Sequence, residues 1–142
     1  MWLEVTAKDA KGNVLMTTGT VDAEGTLPDN IRMFNSEGQD DRFHFAIDPW
    51  KVQSFSRHDT IPPKGFKDVY YGLTAEKNRP IYVEAKLRYR QAEQKVAEKL
   101  LGLVPGDIHL DAIYGIKEVP ILPVIDMVSK NTCINGANLQ CD

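Results

Sequence analysis

The sequence feature that most constrains the fold is a nine-residue stretch, 81–89, in which apolar and polar side chains alternate strictly. Its apolar positions are Ile81, Val83, Ala85, Leu87 and Tyr89. Strict alternation is typical of a β-strand with one buried and one solvated face, because successive side chains of a strand point in opposite directions. The stretch therefore predicts a long, half-buried strand.

Shorter segments of strand character recur along the chain, at 2–8, 14–16, 31–34, 43–47, 52–55, 66–73 and 121–127. Turn sequences separate several of them, as at Asp9-Ala10-Lys11-Gly12 and Asp22-Ala23-Glu24-Gly25. The period becomes helical over 91–101, a segment that Gly102 ends. We therefore predict a mainly β domain over residues 1–128, an antiparallel, immunoglobulin-like β-sandwich with one late helix, followed by a C-terminal tail over 129–142.

The chain of 142 residues carries a formal net charge of −3, and 42% of its residues are hydrophobic. This composition is typical of a globular domain and excludes a strongly basic nucleic-acid binder. No apolar run approaches the roughly 20 residues that cross a bilayer, and no signal peptide precedes the first predicted strand. Because that strand begins directly after Met1, we expect the chain to be a piece of a larger protein.

The three histidines, His44, His58 and His109, show no spacing typical of a metal site. His44 is predicted to face solvent on a strand, and His58 to form a local hydrogen bond with Asp59. No nucleophile motif and no glycine-rich phosphate loop accompanies them. The residues alone therefore predict no catalytic site, no metal site and a non-enzymatic β-rich module.

Several other patterns have a structural and a functional interpretation. Acidic turn residues suggest calcium, but Asp-x-x-Gly is above all a turn sequence. The alternating cations Lys86, Arg88 and Arg90 favour a solvated sheet surface over a binding patch. The larger aromatic residues could form a carbohydrate platform, but their scatter over different strands favours packing; they are Trp2, Trp50, Tyr70, Tyr71, Tyr82 and Tyr89.

Two cysteines, Cys133 and Cys141, flank a predicted turn at Asn135-Gly136. They are too few for a zinc site, and the Cys-x-x-Cys-His pattern of covalent haem attachment is absent from the sequence. In an oxidising compartment the two thiols could form a disulfide. The alternative is a pair of unrelated reduced thiols.

Several motifs occur together in one order. A strand that ends in Asp9-Ala10-Lys11-Gly12 precedes Thr18-Gly19 and Asp22-Ala23-Glu24-Gly25. Further along are Ile61-Pro62-Pro63-Lys64-Gly65, the Leu87-Arg88-Tyr89-Arg90 strand with the helix after it, and Pro123-Val124-Ile125-Asp126-Met127. Over residues 2–128 this order resembles the region that follows the haem-binding part of bacterial multihaem c-type cytochromes.

The resemblance implies a haem-free, sandwich-like C-terminal domain of a periplasmic or extracellular electron-transfer protein. Haem c and the redox activity would belong to the upstream part of the same polypeptide, on which this domain would dock, and a redox protein is a further possible partner. A periplasmic location also permits the Cys133–Cys141 disulfide. No motif assigns His44 or His58 as a haem ligand of the intact protein, so that role is a guess.

Two other hypotheses stay open. The chain could be a stand-alone binding module for carbohydrate or a protein partner, which would use exposed aromatic side chains or a free sheet edge. It could also be a small hydrolase, which would need a His, an Asp and a Ser to converge in a pocket.

Overall fold

The structure, a computed structural model, describes residues 1–29, 31–46, 48–74 and 79–134. Its strands are β1 (Trp2–Asp9), β2 (Val14–Thr18), β3 (Arg32–Met33), β4 (Ser36–Gln39), β5 (Ser54–His58), β6 (Ile81–Tyr89) and β7 (Ile125–Ile134). Its helices are α1 (Gln94–Gly102) and α2 (Leu110–Tyr114), and a single 3-10 turn spans Pro49–Lys51. The strand predicted from strict alternation is thus confirmed with both of its bounds.

The larger sheet has the strand order β2-β1-β6-β7, with all neighbours antiparallel. The short β3 pairs with the start of β1, beyond the end of β2. β1 and β6 are the central strands, and their register places Val5 opposite Ala85. The alternation in β6 therefore continues across the sheet, with apolar residues on one side and mostly polar or charged residues on the other, where Trp2 lies opposite Arg88.

The smaller sheet pairs β4 with β5. The prediction of a mainly β, antiparallel fold with one substantial late helix is confirmed. The finer prediction, two sheets facing each other as in an immunoglobulin-like sandwich, stays a prediction.

Three hairpin loops share one geometry, in which an aspartate holds the loop through its own side chain. Asp9 Oδ1 accepts hydrogen bonds from the backbone N–H groups two and four residues later, at 2.8 and 2.9 Å. Asp22 and Asp40 do the same in their loops. The residue three positions after each aspartate has a positive φ. Gly12 and Gly25 adopt such a φ easily, but Phe43 adopts it against its preference.

The third of these loops corrects the strand predicted over 43–47. Asp40 turns the chain there, and among residues 43–46, the described part of that segment, only Phe45 forms a β-bridge, with Gln39. The segment 66–73 has strand-like composition but no strand. Conversely, β4 forms in a polar stretch from which no strand was predicted, because β5 supplies its hydrogen-bonding partner.

β7 crosses the boundary that the sequence analysis placed after residue 128. It runs ten residues, and its pairing with β6 continues to Ile134 opposite Ile81. Residues 129–134 therefore belong to the large sheet rather than to a separate tail. Residues 135–142 lie outside the described part.

The packed centre of the domain surrounds the first residue of β1. Trp2 is 2% exposed, and its indole Nε1 donates a hydrogen bond of 2.8 Å to the carbonyl of Gly19. The backbone at Gly19 passes so close to β1 that a β-carbon there would lie 2.9 Å from Glu4 Cα. On the other side of the indole, the guanidinium of Arg90 lies 5.9 Å from the ring centre. A cation over the face of a tryptophan is attracted by the ring quadrupole.

The first residue of α1, Gln94, is 4% exposed and attaches the helix to the segment before β7. Its side-chain amide donates to the carbonyl of Pro120 and accepts from the N–H of Leu122, both at 3.0 Å. A second attachment is the buried carboxylate of Asp48, which has Lys99 Nζ at 2.5 Å and Lys51 Nζ at 3.0 Å. The start and the end of α1 are therefore held by different parts of the chain.

We predict that Gly19→Ala destabilises the fold much more than Gly12→Ala. Both glycines have a positive φ, which costs about 1 to 2 kcal/mol for alanine. A β-carbon at residue 12 meets nothing within 4 Å, whereas one at residue 19 clashes with the backbone of β1. We expect a loss of about 3 to 5 kcal/mol for Gly19→Ala in urea unfolding. Equal losses for the two variants would contradict the close approach.

Candidate functional site

The three histidines lie apart on different elements. His44 ends the Asp40 loop, with Nδ1 3.8 Å from Asp40 Oδ2, and is exposed. His58 ends β5, and His109 precedes α2. Among the described residues, no group of three or more His, Cys, Asp or Glu side chains converges as a metal site. The acidic turn residues that suggested calcium instead bind the backbone of their own loops.

The structure brings together Ser36 and His58, a pair that the sequence analysis did not predict. They are opposite each other in the β4–β5 ladder, and Ser36 Oγ lies 2.9 Å from His58 Nδ1. The ring of His58 also packs against Phe55, with centroids 5.0 Å apart. A hydrolytic site would need a carboxylate that orients the histidine. Asp59 is next in sequence, but its carboxylate is bound by other side chains.

The carboxylate of Asp59 is the centre of a cluster of cations. Arg32 contacts it through two nitrogens, at 2.8 and 3.1 Å, and Arg57 lies 3.0 Å away. Lys67 also contacts Asp59 Oδ1. Asp59 is itself 8% exposed, and its N–H donates to the carbonyl of Asn35 at 2.9 Å. The cluster joins the loop before β4, the end of β5 and the segment after it.

Hydrogen bonds from Lys67 and Arg57, with the charge of Arg32 nearby, lower the pKa of Asp59 from 3.8 to about 2. The carboxylate therefore stays ionised at any pH where the protein is folded in a cell. Because these three cations come from β3, from β5 and from the segment after β5, the cluster connects the small sheet to β3.

The two sides of the large sheet differ in chemistry. One side, which we call the charged side, has an ion-pair chain across three strands: Arg88 on β6 contacts Glu4 on β1 at 2.8 Å and Asp126 on β7 at 2.7 Å. Lys86 pairs with Glu84 on the same strand at 3.1 Å. The prediction of a solvated surface is only partly right for Lys86 and Arg88, whose side chains are 23% and 21% exposed. It is wrong for Arg90, which is 8% exposed and lies against Trp2.

The opposite side, which we call the apolar side, is covered along β1 and open to solvent along β7. Its members, read from the register, are Leu3, Val5 and Ala7 on β1, Ile81, Val83, Ala85, Leu87 and Tyr89 on β6, and Ile125, Val128, Lys130, Thr132 and Ile134 on β7. On β1, Val5 and Ala7 are buried, and on β6 the apolar residues are half-buried. On β7, Val128 is 57% exposed and Ile134 is 53% exposed. The apolar side therefore opens to solvent along β7, where Lys130 and Thr132 lie between Val128 and Ile134.

A second group of exposed apolar residues surrounds the small sheet. Phe43, Phe45, Trp50 and Phe55 are each more than half exposed. Of the aromatic residues singled out in the sequence, Trp2 is buried and Tyr70 is 89% exposed. The exposed aromatics of this region could contact a ligand or partner, since aromatic rings supply a large contact area.

Comparison with known proteins identifies no relative: no family model, no curated protein and no solved structure matches the chain. Within the described residues, neither helix is long and apolar enough to cross a membrane. The functional argument therefore depends on the surfaces of this chain and on the order of its motifs.

The predicted Cys133–Cys141 disulfide falls partly outside the described residues, because Cys141 is not among them. Cys133 is near the end of β7, opposite Tyr82. We predict that alkylation of the unreduced, unfolded chain modifies neither thiol, and that reduction adds the mass of two hydrogens. Intact mass spectrometry measures both. Two alkylated thiols in protein purified from an oxidising compartment would contradict the disulfide.

We also predict that Asp59 makes the free energy of unfolding depend on pH. Because its pKa is lower in the folded chain than in the unfolded one, its contribution is complete above about pH 4 and is lost as the pH falls toward 2. Asp59→Asn should lower the urea midpoint at neutral pH and flatten the acid side of the profile. The exposed Asp107→Asn is the control, and identical profiles for both variants would contradict the role of the cluster.

Proposed function

We propose that the chain is a non-catalytic docking domain of a periplasmic or extracellular multihaem c-type cytochrome, and that it packs on the haem-bearing part of the same polypeptide. The observation that supports this most is the apolar side of the large sheet, which opens to solvent along β7. The motif order described above favours the cytochrome assignment. Since the sequence holds no Cys-x-x-Cys-His site, electron transfer is assigned to the upstream part.

The exposed side chains on β7 explain why a docking role fits this sheet. Apolar residues next to a hydrophobic core normally gain free energy by burial, about 25 cal/mol per Å². Val128 and Ile134 continue the apolar side of β6, yet they stay more than half exposed. A second protein surface on this side would bury them together with the half-buried residues of β6.

A stand-alone binding module is the second candidate. The exposed aromatics around the small sheet favour it, since Phe43 accepts a positive φ that places its ring on the surface. Strained residues that persist at a surface are often found at binding sites. This hypothesis differs from the first in needing no haem-bearing partner.

The cytochrome assignment is tested by the visible spectrum of the full-length protein. We expect tandem Cys-x-x-Cys-His motifs upstream of this chain, a Soret band and reduced α and β bands. A colourless full-length protein without those motifs would refute the assignment and leave the binding module.

The docking surface is tested separately, with neighbouring variants on β7. Val128 faces the apolar side opposite Leu87, whereas Ser129 faces the charged side opposite Lys86. We expect Val128→Lys to weaken binding of this chain to the separately produced haem-bearing part by tenfold or more, about 1.4 kcal/mol. Ser129→Lys should leave binding unchanged. Equal effects of both variants, or none, would contradict docking through the apolar side.

A further inference from the structure

A cavity of about 170 Å³ lies between the loop after β2 and the start of α1. Its apolar walls include Leu27, Ile31 and Met33. The polar lining includes the side chain of Arg90, just before the helix, and the first residues of the helix itself. For comparison, an apolar cavity of about 150 Å³ in another protein holds benzene. The volume therefore suits a molecule with few heavy atoms.

Arg90 is the unusual member of this lining. It is 8% exposed, and its guanidinium forms no ion pair with a carboxylate among the described residues. It donates one hydrogen bond to the carbonyl of Gly25, and the guanidinium carbon lies 5.9 Å from the Trp2 ring centre. Those two contacts leave most of its five N–H donors for other partners.

A guanidinium with little exposure and no counter-ion has lost part of its hydration, which its hydrogen bond to Gly25 and its contact with Trp2 replace only in part. Burial accordingly lowers the pKa of Arg90, and the exposed Glu93 nearby acts in the opposite direction. An anion in the cavity would supply the missing partner. Guanidinium groups bind carboxylates strongly because two parallel N–H donors match the two carboxylate oxygens.

We propose that the cavity binds a small organic monocarboxylate. The carboxylate pairs with Arg90, and the alkyl part packs against Leu27, Ile31 and Met33. This site does not depend on the docking role proposed above, since it lies on the loop and helix rather than on β7.

The other charges of the lining determine which acids fit. Asp29 and Glu93 are exposed carboxylates, and Lys95 is an exposed cation. Because Lys95 offsets only one of these two carboxylates, a second carboxylate on the ligand would meet a net negative charge, so a dicarboxylate is disfavoured. Gln94 also borders the cavity, but Pro120 and Leu122 already occupy its amide. Gln94 therefore forms a wall, and Arg90 is the anchor.

The indole of Trp2 makes binding observable, because it lies against Arg90. We propose titrating butyrate into the ¹⁵N-labelled chain and following the indole N–H signals by NMR. The chain has two tryptophans, and Trp50 is exposed on the turn beside the small sheet. We expect a saturable shift of the Trp2 signal and none of the Trp50 signal. Butyramide, which has the same shape without the charge, and sodium chloride should cause no saturable shift.

Two variants locate the site. Arg90→Gln should weaken butyrate binding by about 10-fold to 100-fold, the range for a charged hydrogen bond. Because Arg90 also contacts Trp2, this variant can lose stability, so Leu27→Trp serves as a second test that fills the cavity and keeps the arginine. Lys11→Gln, which removes a positive charge at the opposite end of β1, should bind butyrate as the unaltered chain does.

Three results would overturn the site. The first is no saturable shift up to about 10 mM butyrate, well above the millimolar affinity that so few atoms can give. The second is equal binding of butyramide, which would remove the role of the charge. The third is full binding by the folded Leu27→Trp variant, which would place the acid elsewhere on the chain.

Discussion

The burial of Trp2 is the interaction on which the rest of the structure depends. One indole connects three segments that are distant in sequence: β1, which carries it, the Gly19 backbone, which accepts its hydrogen bond, and Arg90, which lies over its ring. Arg90 then bonds to the carbonyl of Gly25. A β-carbon on Gly25 would come within 3.0 Å of Gln94 Oε1, so the loop packs directly on the helix. Through these contacts β1 positions α1, and Gln94 of α1 holds residues 120–122, which precede β7.

This arrangement places a charge inside the packed centre, which is unusual for a small domain. The cation over an indole face and the carbonyl of Gly25 compensate part of the lost hydration. A ligand that supplies an anion would compensate more, and it would stabilise the folded chain because the unfolded chain holds no such site. The carboxylate cavity is therefore coupled to the same contacts that hold β1 against the helix, and occupancy and stability should change together.

The parts of the fold that sequence could predict are those with local causes. β1, β6 and α1 follow from periodicity, and the Asp9 loop follows from an aspartate with a glycine three residues later. The Asp40 loop has the same hydrogen bonds but carries Phe43 in place of glycine. Without that glycine, no residue pattern predicts a turn there. The alternation of Lys86, Arg88 and Arg90 predicts a solvated Arg90, but it does not show that Trp2, from the neighbouring strand, covers that end of the charged side. Ser36 with His58, and Asp59 with Arg32 and Lys67, depend on pairings across the chain that composition and spacing do not encode.

The chemistry of β7 distinguishes between two ways in which a partner could approach the large sheet. Addition of a strand to its edge would use backbone hydrogen bonds and would place partner side chains beside Asp126 and Lys130, charges of the kind that natural edges use to discourage such pairing. On the charged side, Asp126 is already bound to Arg88. The apolar side is different, because burial decreases steadily from Ala7 through β6 to Val128. Under the proposed docking role, a partner over this face would bury Val128 and Ile134 and would have to pair the ammonium of Lys130, which lies between them, or leave it in water.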